Sequence, residues 1–140
     1  MKFIAILISL FMLSACDKKL EYEDASHLSE LSHLVGQRYN FIQPMYLSGV
    51  NVPPGYGEEV DIYTIGPLKP SWSGPELISR KTLNEGQEFT IESFVKCTNC
   101  WEKSGYTDAY ISLPNVPVEK HKKIMVPIKY LTIVYVSETQ

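Results

Sequence analysis

Apolar residues follow three different patterns along this chain, and each pattern predicts a different kind of segment. An uncharged apolar run covers residues 3–13. Leucines then recur every three residues over 25–35, which is the spacing of one helix face, and Gly36 ends that pattern. After Gly36, residues of types Tyr, Val, Ile, Phe and Thr cluster in short runs between turn-forming residues, which is typical of strands. We therefore expect one short N-terminal helix followed by a β domain.

Six of the runs after Gly36 are predicted to be strands. They cover 38–42, 60–65, 76–83, 87–97, 107–113 and 122–136. Phe94 breaks the apolar alternation of the fourth run, which predicts either a β-bulge or burial on both faces. Pro127 has no amide hydrogen to donate, so it can interrupt the last run. The segment 44–75 is rich in Pro and Gly and is predicted to form surface loops around one strand.

The number and length of these runs indicate the fold class. Six or seven short strands in about 110 residues favour a small antiparallel barrel or a sandwich. Turn residues at 84–86 predict that 76–97 is a β-hairpin. The sequence of 76–94 resembles the hairpin of bacterial SH3-like domains, which implies a small SH3-like barrel. The expectation is a mainly β fold, either such a barrel or a sandwich, with one short N-terminal helix.

The first sixteen residues have the organisation of an export signal. Lys2 is followed by a run of eleven uncharged residues, which at about 1.5 Å each cover only half of the ~30 Å bilayer core. The sequence Leu13-Ser14-Ala15-Cys16 resembles the lipobox of bacterial lipoproteins. The resemblance implies cleavage before Cys16, transfer of lipid chains such as palmitate to it, and a periplasm-facing protein held on a membrane. Asp17 then favours the inner membrane, while the outer membrane stays open.

The chain is therefore expected to have three parts. Residues 1–15 form a lipoprotein signal peptide, 16–24 a lipidated tether, and 25–140 a single β-rich domain. The tether assignment rests on 17–24, where six of eight residues are charged and too polar to build a core.

Charge and motif content exclude several classes of function. Thirteen Lys and Arg stand against sixteen Asp and Glu, a formal charge of −3, so the chain has no basic surplus for binding nucleic acid. It contains neither the GxSxG nor the HExxH motif of common hydrolases. We therefore expect a protein that is not an enzyme and needs no cofactor.

Cys97 and Cys100, separated by Thr98 and Asn99, allow three interpretations. In an exported protein the favoured one is a disulfide that closes this small loop. A redox-active pair is the second, although Gly105 follows too soon for a long helix that would lower the thiol pKa. A zinc site is the third, but zinc needs three or four ligands and the pair supplies two. We therefore expect a disulfide and no metal.

Aromatic residues in the loops are the remaining candidates for function. Tyr46, Tyr56, Trp72 and Trp101 are expected to contribute to a binding surface, because aromatics on a rigid scaffold are frequent anchors of recognition. At least half of the loop aromatics are needed to fill the core of such a small domain. The expected function is a non-catalytic binding module, such as an inhibitor, an immunity protein or an accessory subunit of an envelope complex. Its partner would be a periplasmic protein or peptidoglycan, and the alternative function is thiol-disulfide exchange at Cys97 and Cys100.

Overall fold

The computed structural model describes residues 20–52, 57–69, 74–100, 107–132 and 136–138. Nine strands and two short helical segments lie in these ranges. The strands are β1 (Tyr22–Asp24), β2 (Arg38–Phe41), β3 (Met45–Val50), β4 (Ile62–Pro67), β5 (Leu77–Leu83), β6 (Glu88–Cys97), β7 (Thr107–Ser112), β8 (Ile124–Pro127) and β9 (Val136–Glu138). The helical segments are a 3-10 helix (Ser32–Leu34) and α1 (Ile128–Thr132).

The strands form one mixed sheet. Eight of them follow the order β5-β3-β4-β8-β7-β6-β2-β9, and β1 pairs with β6 beside β2. Every pairing is antiparallel except that of β4 with β8, which is parallel. The mainly β expectation is confirmed. The barrel or sandwich is not what the described strands form, because β5 and β9 end the order of a single sheet that does not close.

The sheet is strongly curved. A linker of only four residues, 84–87, joins β5 to β6, although β6 lies five positions away in the strand order. Five steps of about 4.8 Å would separate these strands by roughly 24 Å in a flat sheet, whereas the chain from Leu83 to Glu88 reaches about 18 Å at most. The predicted hairpin over 76–97 is therefore wrong: its two strands are consecutive in the chain but pair with other strands.

The core lies on one face of this curved sheet. Its fully buried large side chains are Phe41, Met45, Ile65, Leu83, Phe89, Phe94 and Val126. The rings of Phe41 and Phe89 stack with centroids 4.6 Å apart, and the Tyr39 ring stacks on Phe89 with centroids 5.7 Å apart. The register of β6 on β7 shifts between Ile91 and Ser93. This bulge brings Phe94 to the same face as Phe89, which confirms the bulge that the sequence predicts.

The segment 25–35 covers this core but is not a continuous helix. It consists of turns and the 3-10 helix, and Leu31 is buried while Leu28 and Leu34 pack against the core. Ser26 takes part in two hydrogen bonds with Phe94: its Oγ accepts from the amide at 2.9 Å and donates to the carbonyl at 3.4 Å. Such side-chain bonds to a distant backbone compete with helix formation. The leucine spacing therefore identifies correctly which side chains face the core, but the prediction of a continuous helix is wrong.

Three further elements differ from the sequence expectation. The sheet begins at β1, inside the segment assigned to the tether, since Tyr22 pairs with Cys97. The loop-rich segment 44–75 contains β3, which pairs with both β4 and β5. Pro127 ends β8, as its missing amide allows, and α1 follows directly where a continued strand was expected.

Candidate functional site

The face of the sheet opposite the core carries two neighbouring clefts. Asp108 and Tyr110 alternate along β7 with core residues, and Tyr46 and Ser48 do the same along β3, so all four point to this outer face. Both clefts are lined by Pro127, at the junction of β8 and α1. The two clefts therefore meet at the start of α1.

The first, which we name the cysteine cleft, has a volume of about 250 Å³. Its lining residues are Cys100, Thr107, Asp108, Pro127, Ile128 and Lys129. They come from the loop after β6, from β7, and from the β8–α1 junction. The cleft thus joins a half-cystine, a carboxyl and an ammonium group on an otherwise apolar wall.

Asp108 is the unusual group of this cleft, because it is only 8% exposed. Burial raises the pKa of its carboxyl, and the Lys129 ammonium acts in the opposite direction. Burial also raises the pKa of the Tyr22 and Tyr110 phenols, and the Asp108 charge raises both further. A buried carboxyl in a cleft with a partner charge is characteristic of functional sites.

A disulfide between Cys97 and Cys100 lies at the edge of the same cleft, with its Cα atoms 5.7 Å apart. The loop that it closes holds the chain where β1 begins. The Glu21 amide donates to Asn99 Oδ1 at 2.9 Å, and the amide and hydroxyl of Thr98 donate to the Glu21 carbonyl at 2.9 and 3.2 Å. The disulfide loop therefore fixes the N-terminal end of the sheet.

The second, which we name the tyrosine cleft, has a volume of about 210 Å³. Its lining residues are Tyr46, Ser48, Thr64, Ile65, Gly66, Pro67, Arg80, Pro127 and Tyr130. The Arg80 guanidinium lies 4.7 Å from the Tyr46 ring centroid, and its Nε is 3.5 Å from Ser48 Oγ. Lys129 Nζ lies 5.0 Å from the centroid of the Tyr130 ring. Two cations are thus held against two aromatic rings on one surface.

The sequence-predicted site residues have different outcomes. Tyr46 lies in the tyrosine cleft, half-buried. Tyr56, Trp72, Trp101 and the lipidation residue Cys16 lie outside the described residues.

Sequence reasoning missed Arg80, Asp108, Lys129 and Tyr130. These residues come from three separate parts of the chain, so no local spacing could connect them. The one available signal was the two-residue alternation of each strand. Arg80 occupies a position of β5 that faces away from the core, and Asp108 occupies such a position of β7.

Other features of the described residues limit the chemistry. His27 and His33 are both exposed. No group of three or more His, Cys, Asp or Glu residues that could hold a metal ion occurs in the ranges the structure describes. Within the same ranges, no helix has the length and apolar character needed to cross a bilayer.

Comparisons with protein-family models, curated proteins and solved structures find no match to this chain.

Proposed function

We propose that this protein is a bacterial lipoprotein whose periplasm-facing β domain is a binding module for another envelope protein, with a binding surface that is itself non-catalytic. The lipobox-like sequence ending at Cys16 supports the anchor, and Asp17 favours the inner membrane over the outer one. The observation that carries the binding role is the tyrosine cleft, where Arg80 is stacked on Tyr46 beside Tyr130.

The composition of the tyrosine cleft defines the ligand that would fit. A guanidinium group stays charged at all physiological pH values and pairs with carboxylates through two parallel hydrogen bonds. The two tyrosine rings and two prolines offer apolar surface at its sides, and Ser48 and Thr64 add hydroxyl groups. We therefore assign to the cleft a partner segment with a carboxylate next to an apolar or aromatic side chain.

Several biological roles share this chemistry. An inhibitor, an immunity protein and an accessory subunit of an envelope complex would each present such a surface to one protein partner. Peptidoglycan is the alternative ligand, since its peptides also carry carboxylates. The likeness to SH3-like domains adds nothing to that alternative, because β5 and β6 do not form the hairpin on which it rests.

The test compares two cations that are neighbours in β5. Arg80 lines the cleft, whereas Lys81 is exposed on the opposite face of the same strand. The tagged, lipidated protein would be expressed in its own host, cross-linked in intact envelopes, purified in mild detergent and analysed by mass spectrometry. Arg80→Gln is expected to lose a stoichiometric protein companion that wild type and Lys81→Gln retain.

Three results would contradict the proposal. One is that no protein companion copurifies with the wild type. A second is that Arg80→Gln keeps its companion, and a third is that Lys81→Gln loses it equally. Recovery of wall fragments alone, with the same dependence on Arg80, would favour peptidoglycan as the ligand.

A further inference from the structure

Asp108 and Cys97 are close neighbours on the outer face of the sheet. Asp108 is directly opposite Val95 in the β6–β7 ladder, and Cys97 lies two residues beyond Val95 on the same strand face. Diagonal neighbours of this kind have Cα atoms about 7–8 Å apart, a separation that one water can bridge between two short side chains. The register therefore places Asp108 and Cys97 on one face as diagonal neighbours.

The two sulfurs of the disulfide differ in access. Cys97 is only 4% exposed and lies on β6 opposite Tyr22 of β1. Cys100 is half-buried and lines the cysteine cleft. An incoming thiolate therefore has better access to Cys100, and Cys97 is the sulfur that leaves.

Asp108 also has little stabilisation in the fold. The residue is only 8% exposed, and none of the hydrogen bonds among the described residues ends on its carboxylate. The charge that acts on it is the Lys129 ammonium. An ionised carboxyl in this position lowers the stability of the fold. A carboxyl that lowers stability and lies in a cleft is a candidate for a chemical role in that cleft.

We propose that the Cys97–Cys100 disulfide is a thiol-disulfide exchange site, with Cys100 as the attacked sulfur and Asp108 as the group that exchanges a proton with Cys97. The substrate class is a protein segment that carries two cysteine thiols, or their disulfide in the reverse direction. This activity is separate from the binding role proposed for the tyrosine cleft and does not rest on it.

The exchange balances in atoms and electrons. A substrate thiolate attacks Cys100 Sγ, the Cys97–Cys100 bond breaks, and its electron pair leaves on Cys97 Sγ, which takes a proton from the acid form of Asp108, the form that burial favours. The second substrate thiolate then attacks the substrate sulfur of the mixed disulfide and releases the Cys100 thiolate. The substrate dithiol is oxidised to a disulfide, and the protein disulfide is reduced to two thiols. The reverse steps with a disulfide of another protein restore the oxidised pair, and Asp108 then accepts the proton of Cys97.

The groups that face Asp108 come from every element around it. Tyr22 lies on β1, Tyr110 on β7 and Lys129 on α1. The two phenols stay protonated at neutral pH, because burial and the Asp108 charge raise the pKa of each. Asp108 is therefore the group among them that can pass between its acid and carboxylate forms during the exchange.

The test is a two-phase reaction of the reduced full-length protein, in detergent, with dithiodipyridine. In the first phase the Cys100 thiolate attacks the reagent and releases one thiopyridone. In the second phase Cys97 gives its proton to Asp108, attacks Cys100 Sγ and releases the second thiopyridone. A variant with both Cys97→Ser and Cys100→Ser measures any signal from Cys16.

The expected result is a selective loss in Asp108→Asn. Its second phase slows by roughly 100-fold, the lower end of what a positioned base contributes, while its first phase is unchanged. Wild type keeps a nearly constant second phase through neutral pH, whereas the rate in Asp108→Asn rises about tenfold per pH unit, because solvent must then form the thiolate. Glu23→Gln, which removes an exposed carboxylate on β1 opposite Lys96, behaves as wild type.

Other outcomes overturn the proposal. Unfolding of the wild type upon reduction, seen by circular dichroism, would make the disulfide a structural crosslink only. Equal second phases in wild type and Asp108→Asn would remove Asp108 from the chemistry, and equal slowing of both phases would make its role structural. If Asp108→Asn does not fold, the wild-type pH profile decides: a second phase that rises tenfold per pH unit contradicts proton transfer to Asp108.

Discussion

Gly49 in β3 offers a direct test of the packing that holds the tyrosine cleft together. A Cβ atom built at this position would lie 2.8 Å from Val60 Cγ2 and 3.2 Å from Tyr63 Cε1, and it would also meet the Ser79 hydroxyl. Carbon atoms pack at roughly 3.5–4.0 Å. Val60 is 4% exposed and has little room to move away. Gly49→Ala is therefore expected to overpack the junction of β3 with its neighbours.

The magnitude follows from two opposing effects. Overpacking a buried site costs about 1–3 kcal/mol, and replacing Gly restricts the unfolded chain, which returns about 0.4–1 kcal/mol. The net loss in free energy of unfolding is therefore about 1–2 kcal/mol, or roughly 4–8 °C in Tm for a domain of this size. Differential scanning calorimetry and guanidinium titration of the full chain in detergent would measure it.

The matched control is Gly66→Ala in β4, the neighbouring strand. No atom lies within 4 Å of the Cβ position at Gly66, so this variant should be as stable as wild type or slightly more stable. Val60→Ala combined with Gly49→Ala should be less damaging than the two single losses added together, because the smaller side chain removes the collision. A Gly49→Ala variant that melts at or above the wild-type temperature would refute the reasoning.

Three further predictions concern the cysteines and Asp108. Cys97→Ser with Cys100→Ser should lower the free energy of unfolding by about 2 kcal/mol, the chain-entropy value for so short a loop; an unfolded double variant would contradict this. Because burial raises the pKa of Asp108 above its usual 3.8, the folded state holds this proton more tightly than the unfolded chain, and stability falls as pH rises through the raised pKa. Asp108→Asn should therefore gain Tm over wild type at neutral pH and lose that gain in acid below the ordinary carboxyl pKa; a constant difference would exclude the linkage. Cys16→Ser should abolish labelling by radioactive palmitate and release the protein from membranes, and labelling that persists would locate the lipid elsewhere.

The strands were predictable where local alternation reports burial. Each of the runs at 38–42, 60–65, 76–83, 87–97 and 107–113 overlaps a strand of the sheet, and the irregular phase at Phe94 indicated the bulge. β3 was missed because Ser48 and Gly49 have low strand propensity. Small residues are nevertheless suited to this strand, because β4 and β5 pair with it on both sides and leave no room for a larger side chain at Gly49.

Strand partners could not be predicted from the turn at 84–86. A short loop between two strands favours a hairpin, and the curvature that carries β5 away from β6 arises from pairings with strands elsewhere in the chain. The same limit applies to the two clefts. Tyr46 was identified because it is an aromatic beside turn residues, whereas Arg80 and Asp108 acquire their roles only from α1, which packs near them after Pro127.

The pairing of β2 with β9 has a consequence for how the chain is made. Tyr39 is opposite Glu138, so β2, one of the first strands to be synthesised, receives its second neighbour only from the last described strand. Before β8 is made, the pairings divide the other strands into two groups, β5-β3-β4 and β7-β6-β2 with β1, and no pairing joins the two. β8 joins them, because it pairs with β4 on one side and with β7 on the other. The single sheet therefore forms late, and the two groups keep unpaired edges until residues 124–127 are in place.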